Sequence, residues 1–278
     1  MTTTVDTDYG TLKPVHYLRC LAGILAREAL RFVNQRARFV ASLVRPLLWL
    51  VIFAAGFRSV LGVSIAPPYA TYILYEVYIT PGLVGMILLF GGMQSSLSMV
   101  YDREMGAMRV LLVSPIPRWF LLFAKLLAGV LVSLMQVYVF LAIAWAFGVR
   151  PPGMGYVLVL PALVLTGIMV GAIGLLLSSL VRQLENFAGV MNFVIFPVFF
   201  ASSALYPLWR IAEANPWLYQ VCRLNPFTHG VELIRFSLYG QLNLTALLVV
   251  MAAAIAFLVL AVLAYEPKGR AGIRSPNA

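Results

Sequence analysis

From about residue 46 onward the chain alternates long apolar runs with short polar, aromatic or Pro/Gly-rich interruptions. A bilayer core asks for about 20 consecutive apolar residues per helix. The pattern predicts six transmembrane helices, over residues 46–61, 79–100, 119–147, 156–180, 187–205 and 244–264. The third is long enough to tilt or to project past the bilayer. Residues 11–38 carry a helical rather than a uniform pattern. Leu18, Leu21, Leu25 and Phe32 share one face, with Arg27, Arg31 and Asn34 opposite. A basic amphipathic helix of this kind lies along the cytoplasmic membrane surface, or packs as a short soluble helix on a partner. Either way it belongs in the cytoplasm.

Residues 206–243, "YPLWRIAEANPWLYQVCRLNPFTHGVELIRFSLYGQLN", are too polar to span and too apolar for a free loop. Asn215-Pro216 and Asn225-Pro226 divide them into short helical pieces, since Pro removes a donor and disfavours helix before it. They are predicted as extracytoplasmic interfacial or re-entrant helices, tolerated where protein or water satisfies the broken backbone. Residues 1–278 are predicted as one all-α polytopic membrane domain.

Composition agrees: 62% of residues are hydrophobic and 11% charged, with a mean hydropathy of +0.93. Soluble domains are about a quarter charged. The net charge of +10 collects in short segments beside apolar runs, which is the positive-inside pattern and not a nucleic-acid surface. With both ends inside, the cytoplasmic Lys and Arg are Lys13, Arg19, Arg27, Arg31, Arg36, Arg38, Arg45, Arg103, Arg109, Arg118, Lys125, Arg182, Lys268, Arg270 and Arg274. Arg58, Arg150, Arg210, Arg223 and Arg235 fall outside. That division, 15 to 5 of the 20, predicts cytoplasmic termini. No cleavable signal peptide is expected, because the opening residues are polar and lack a small-residue cleavage site.

Catalytic parts are missing. No G-x-x-x-x-G-K-[ST] occurs and none of the three lysines follows a glycine, so the chain carries no P-loop. His16 and His229 are predicted on opposite sides, as are Cys20 and Cys222, which excludes a pair or a metal cluster built from them. Proton-driven carriers need carboxylates or histidines within their spans. Here the polar residues predicted at depth are neutral: Gln94, Ser95, Ser96, Ser98, Gln136 and Asn192. Energy for any transport must come from elsewhere.

One segment stands out against this background. Residues 101–118, "YDREMGAMRVLLVSPIPR", suit a short helix along the cytoplasmic surface, with Asp102, Arg103, Glu104 and Arg109 turned to water or a partner. Ser114-Pro115-Ile116-Pro117 stops it sharply. An ordinary solvated loop has the same composition. However, Asp102, Glu104, Gly106, Leu111, Leu112, Ser114, Pro115, Arg118 and Lys125 together resemble a segment of type-2 ABC transporter permeases, among them drug-resistance, Nod-factor and O-antigen export permeases. "LNPFTHGVELIR", residues 224–235, is similar to the stretch before the last span of the same permeases. Ala107 departs from the frequent Thr.

The resemblance implies a multi-pass subunit of the bacterial plasma (inner) membrane. A separate cytoplasmic ABC ATPase binds ATP and Mg, this chain holds no cofactor, and two permease copies, identical in a homodimer, pair within membrane lipid. It places ATPase coupling at Asp102, Arg103, Glu104, Gly106 and Arg109, with the N-terminal helix as second contact. It suggests Gln94, Ser98, Asn192, Phe193 and Phe196 for a substrate path between permeases, although neutral polar groups also serve as interhelical contacts. Gly167-x-x-x-Gly171 reads as a close helix contact. The expected function is export of an amphiphile or hydrophobic compound, such as a lipid-linked glycan or a drug-like molecule. An integral membrane enzyme acting on lipid and a stand-alone secondary carrier are the alternatives, and both lack their polar machinery here.

Overall fold

The computed structural model describes residues 14–34, 36–56, 67–69, 73–104, 117–181 and 183–264. Its elements are eleven helices among these residues: α1 (Pro14–Asn34), α2 (Arg36–Gly56), α3 (Tyr75–Glu104), α4 (Arg118–Ala146), α5 (Gly155–Leu158), α6 (Leu160–Leu180), α7 (Leu184–Phe200), α8 (Leu208–Ala214), α9 (Pro216–Leu224), α10 (Pro226–Leu238) and α11 (Leu244–Ala264). Four stretches are long and apolar enough to cross a bilayer: Tyr75–Tyr101, Trp119–Ala146, Gly155–Leu180 and Leu244–Ala264. Phe39–Ile52 and Leu184–Phe200 are shorter apolar segments. This is an all-helical membrane protein.

Helix α3 is the central element: α2, α4, α6, α7 and α10 all pack on it, while α11 covers α6 and α10. Small residues make that convergence possible. A Cβ on Gly92 would meet the backbone nitrogen of Gly171 at 3.0 Å, so α3 and α6 touch nearly backbone to backbone. Further along α3, Gly82 abuts the Ala204 carbonyl, and Gly85 faces Phe227 and Val231 of α10. Around these contacts Ile79, Leu83, Leu88, Leu89, Met93, Phe140, Leu163 and Phe227 are fully buried.

Helix ends follow local chemistry. Gly148 and Gly240 hold φ of +96° and +70° just past α4 and α10, where glycine takes the left-handed conformation at least steric cost. In each case the next amide bonds back into the helix, Val149 to the Ala144 carbonyl at 3.1 Å and Gln241 to that of Phe236 at 3.0 Å. Asn243 caps α11 by accepting from the Ala246 amide at 3.0 Å.

Several observed bounds differ from the hydropathy expectation. Helix α2 begins at Arg36, well before residue 46, because Arg36–Gly56 stays helical through Pro46. The missing Pro46 amide leaves the Ser42 carbonyl without its helical donor. Nearby, the Ser42 hydroxyl donates to the Phe39 carbonyl at 2.7 Å and accepts from Gln136 of α4 at 2.9 Å. Helix α7 ends at Phe200, short of residue 205, just after Pro197. The amphipathic stretch expected at 11–38 is divided, with α1 ending at Asn34. Phe32 is buried and Tyr17 meets Phe120 of α4 edge-on at 5.0 Å, but Leu18 is 65% exposed. Helix α1 therefore packs on α4 of its own chain and leaves Val15, Leu18, Leu30 and Val33 uncovered.

The glycine contacts yield a direct expectation. Gly92→Val should lower stability by about 1–3 kcal/mol through overpacking, whereas Gly23→Ala, where nothing lies within 4 Å, should be neutral or gain up to about 1 kcal/mol of helix propensity. Thermal unfolding of the two purified variants beside the unaltered chain checks the contrast.

Candidate functional site

Three features flank α3. The first is a buried polar junction at its Tyr75 end. Helix α7 stops inside the protein, and a helix end leaves its last carbonyls without intrahelical donors. Each is satisfied from elsewhere. The Asn225 side-chain amide donates to the carbonyls of Val198 and Ala201, both at 2.7 Å. Ser202 Oγ donates to Phe199 at 2.5 Å, the Ala201 amide to Pro197 at 2.9 Å, and Tyr206 Oη to Phe200. The buried turn that follows is tied to α3: Tyr75 Oη donates to the Leu205 carbonyl at 2.5 Å and Tyr78 Oη to that of Ser203 at 3.2 Å.

Arg235 of α10 completes the junction. Its side chain is 2% exposed, paired with Glu232 one turn earlier, and its Nη2 donates to the Ser203 carbonyl at 2.9 Å. The guanidinium also lies over the Tyr78 ring, 4.1 Å from its centroid. Burial pulls the guanidinium pKa down, but Glu232 and then the Tyr78 and Tyr69 hydroxyls outweigh it, and the net shift is upward. Beside it Tyr239 is pushed up to about 12 by burial. The junction is structural in its chemistry: it holds α3, α7 and α10 together.

The second feature is a cavity of about 100 Å³ between α1, α3 and α4. Its walls include Glu28, Phe32, Gln94, Ser98, Lys125 and Gln136. Gln94 and Ser98, suggested for the substrate path, thus share one opening, one helical turn apart on α3.

The third is an aromatic face formed by α2 and α7 around Phe90 of α3. Arg45 lies over the Phe90 ring at 4.0 Å, Phe196 meets Phe90 edge-on at 6.4 Å, and Phe200 stacks on Phe196 at 6.2 Å. Trp49 of α2 closes on Phe199 and Phe200 at 6.4 and 6.0 Å. Asn192 and Phe193 lie on the outer face of the same α7, with Phe193 80% exposed. The five path residues therefore divide: Gln94 and Ser98 face the cavity, and Asn192, Phe193 and Phe196 lie on α7. Within one chain they form no single site. Arg45 and Phe90 were not singled out from the sequence. Arg45 directly precedes an apolar run and reads there as a loop cation, yet it lies inside the apolar segment Phe39–Ile52.

The coupling segment lies mostly outside the described residues. Asp102, Arg103 and Glu104 fall in the last turn of α3, while Gly106 and Arg109 belong to the stretch 105–116, which is outside them.

Comparison with known proteins places this architecture. The pattern of the ABC-2 type transporter family matches residues 20–239. The chain belongs to the ABC-2 type transporter family. It shares 27% identity over 225 residues with the putative transport permease ycf38 of Cyanophora paradoxa, covering 79% of this chain and 74% of the relative. With the ycf38 permease of Porphyra purpurea it shares 29% over 222 residues, 78% and 72% of the two chains. With the probable multidrug ABC transporter permease YbhR of Escherichia coli (strain K12) it shares 30% over 164 residues, 58% of this chain and 43% of that one. This ABC-2 chain is thus the membrane subunit of an ABC transporter, and it has no ATPase motif of its own.

The two Asn-Pro pairs of this ABC-2 chain provide a paired test. Asn215 Oδ1 only accepts, from the amides of Trp217 and Leu218 at 3.0 and 3.2 Å. Asn225 accepts from Phe227 and also donates twice. Asn215→Asp should change stability by less than about 0.5 kcal/mol, since Asp and Asn cap alike. Asn225→Asp should cost at least about 2 kcal/mol, because two buried carbonyls lose their donor beside a new charge. Unfolding midpoints of the two variants decide it.

Proposed function

We propose that this chain is the transmembrane subunit of an ATP-driven exporter for an amphiphilic or hydrophobic compound. The observation that carries the reading is a polar and aromatic face left open at membrane depth, on an ABC-2 chain without a nucleotide-binding motif. The four long apolar helices and the shorter segments in α2 and α7 make up six spans. The division of basic residues, 14 to 5 with Arg45 left out, supports cytoplasmic termini, and the reading as a bacterial inner-membrane subunit goes with the family.

A cytoplasmic ABC ATPase, which binds ATP and Mg, docks on the segment containing Asp102, Arg103, Glu104, Gly106 and Arg109. Helix α1, held against α4, is the second contact. Two copies of the permease pair in the membrane lipid. The path between them draws on Gln94 and Ser98 of α3 and on Asn192, Phe193 and Phe196 of α7. Pairing also explains the outer face of α7: Asn192 is exposed there, and a polar side chain at membrane depth is favourable against protein or a water-filled path rather than lipid. The relative YbhR, a probable multidrug ABC transporter permease, fits an amphiphilic cargo.

Co-expression with an ABC ATPase subunit and reconstitution into nanodiscs should give ATP hydrolysis by the complex and none by this chain alone. A cysteine at Glu104, in a chain carrying Cys20→Ser and Cys222→Ala, should crosslink to the ATPase in native membranes. Transport by the purified chain without nucleotide, or a crosslink that never forms, would overturn the assignment.

A further inference from the structure

We propose that Arg45 makes the exposed α2–α3–α7 face selective for amphiphiles with an anionic headgroup. This rests on the transport reading above and names the chemistry of its cargo.

The first observation is depth. Arg45 sits at the centre of the apolar segment Phe39–Ile52. The ring beneath its guanidinium, Phe90, is itself central in the candidate span Tyr75–Tyr101. At 1.5 Å per residue Phe90 lies about 22 Å along α3 from Tyr75 and about 16 Å from Tyr101, about 3 Å from the middle of that span. Both separations place the guanidinium near the bilayer midplane, where an Arg is costly and marks a functional position. A lysine or arginine near a helix end escapes by reaching to the interface. Arg45 instead rests on a ring at mid-depth.

The second observation is what Arg45 lacks. It is exposed, and the ion pairs among the described residues are Arg27–Glu28 and Arg235–Glu232. Contact with the Phe90 ring engages none of the five N–H donors of a guanidinium. Arg235, by contrast, has both a carboxylate and a backbone carbonyl. An open fork of donors at low dielectric is matched by the paired oxygens of a phosphate, sulfate or carboxylate.

The third is what surrounds it. Trp49, Phe196 and Phe200 flank it with rings that suit an acyl or aromatic body, and Asn192, one turn from Phe196, adds a neutral polar group. A resident lipid keeps its headgroup about 15 Å from the midplane. An anionic headgroup at Arg45 is therefore one in transit, not a lipid at rest.

The test uses the full complex with its ATPase in nanodiscs during ATP turnover. Two tail-matched probes, phosphatidylglycerol and phosphatidylcholine, each carry a diazirine on the headgroup, and crosslinked residues are mapped by mass spectrometry. Capture around Phe90 and Phe196 should favour phosphatidylglycerol by about tenfold, the scale of one charge-assisted hydrogen bond. Arg45→Gln should bring the ratio to about one. Arg45→Lys, which keeps the charge and controls for packing, should restore most of it. Equal capture of both probes, a ratio unchanged by Arg45→Gln, or capture confined to surface residues such as Trp119 and Trp217 would overturn the proposal. The last result would mean a resident headgroup, or a second copy covering Arg45. ATP hydrolysis by the complex alongside any of these sinks only the charge selectivity; a complex that hydrolyses no ATP sinks the transport reading with it.

Discussion

A helix that ends where water cannot reach must have its carbonyls met by other side chains, and that requirement at the end of α7 organises one side of this molecule. Five successive carbonyls, from Pro197 to Ala201, each have a donor. Only two of those donors come from the turn's own hydroxyls. The others include Asn225 at the head of α10, and Arg235 and Tyr78 serve the buried Ser203 carbonyl. Leaving any one buried group without a partner costs on the order of 1–3 kcal/mol. Helix α10 is thus fixed to α7 and to the turn after it by polar bonds, as well as to α3 by apolar packing, and glycines at positions 82 and 85 let the backbones come close.

Much of this was legible from one chain, for reasons that differ by element. The long helices announce themselves because about 20 apolar residues have few other uses. Helices α2 and α7 were harder, since each contains a proline and polar side chains, and both helices start before the expected spans, while residues 57–61 of the first span lie outside the described residues. The Asn-Pro pairs point to helix breaks from residue chemistry alone. That Asn225 also straps α10 to the end of α7 was invisible, because its partners are backbone carbonyls far away in sequence.

The charged residues show the limit most clearly. Counting arginines beside apolar runs serves orientation, and it treats each cation as a loop residue. Arg235 and Arg45 both violate that assumption in opposite ways. Arg235 is buried with a carboxylate, a carbonyl and a ring around it, so its charge is spent on holding elements together. Arg45 has a ring and open donors. Sequence spacing distinguishes neither case, because each depends on which face of which neighbouring helix the side chain meets.

The polar groups along α3 then fall into two kinds. At the Tyr75 end they are bonded to the turn that follows α7, which Arg235 of α10 also holds, and a displacement of α3 there has to carry that turn with it. Towards Glu104 the exposed Gln94 and Ser98 border a cavity, and the helix continues into the segment proposed to meet the ATPase. Yet Met99 and Val100 stay buried there, Met99 in a cluster with Leu122 and Leu126 of α4 and Leu175 of α6, so a push on that end is shared with both helices. Interfaces packed this tightly shift between discrete arrangements instead of deforming continuously. In the proposed exporter such a shift would reach the aromatic face of α2 and α7 through Phe90, halfway along the same helix. A protein with no nucleotide site of its own requires that kind of mechanical continuity between a soluble motor and the membrane midplane.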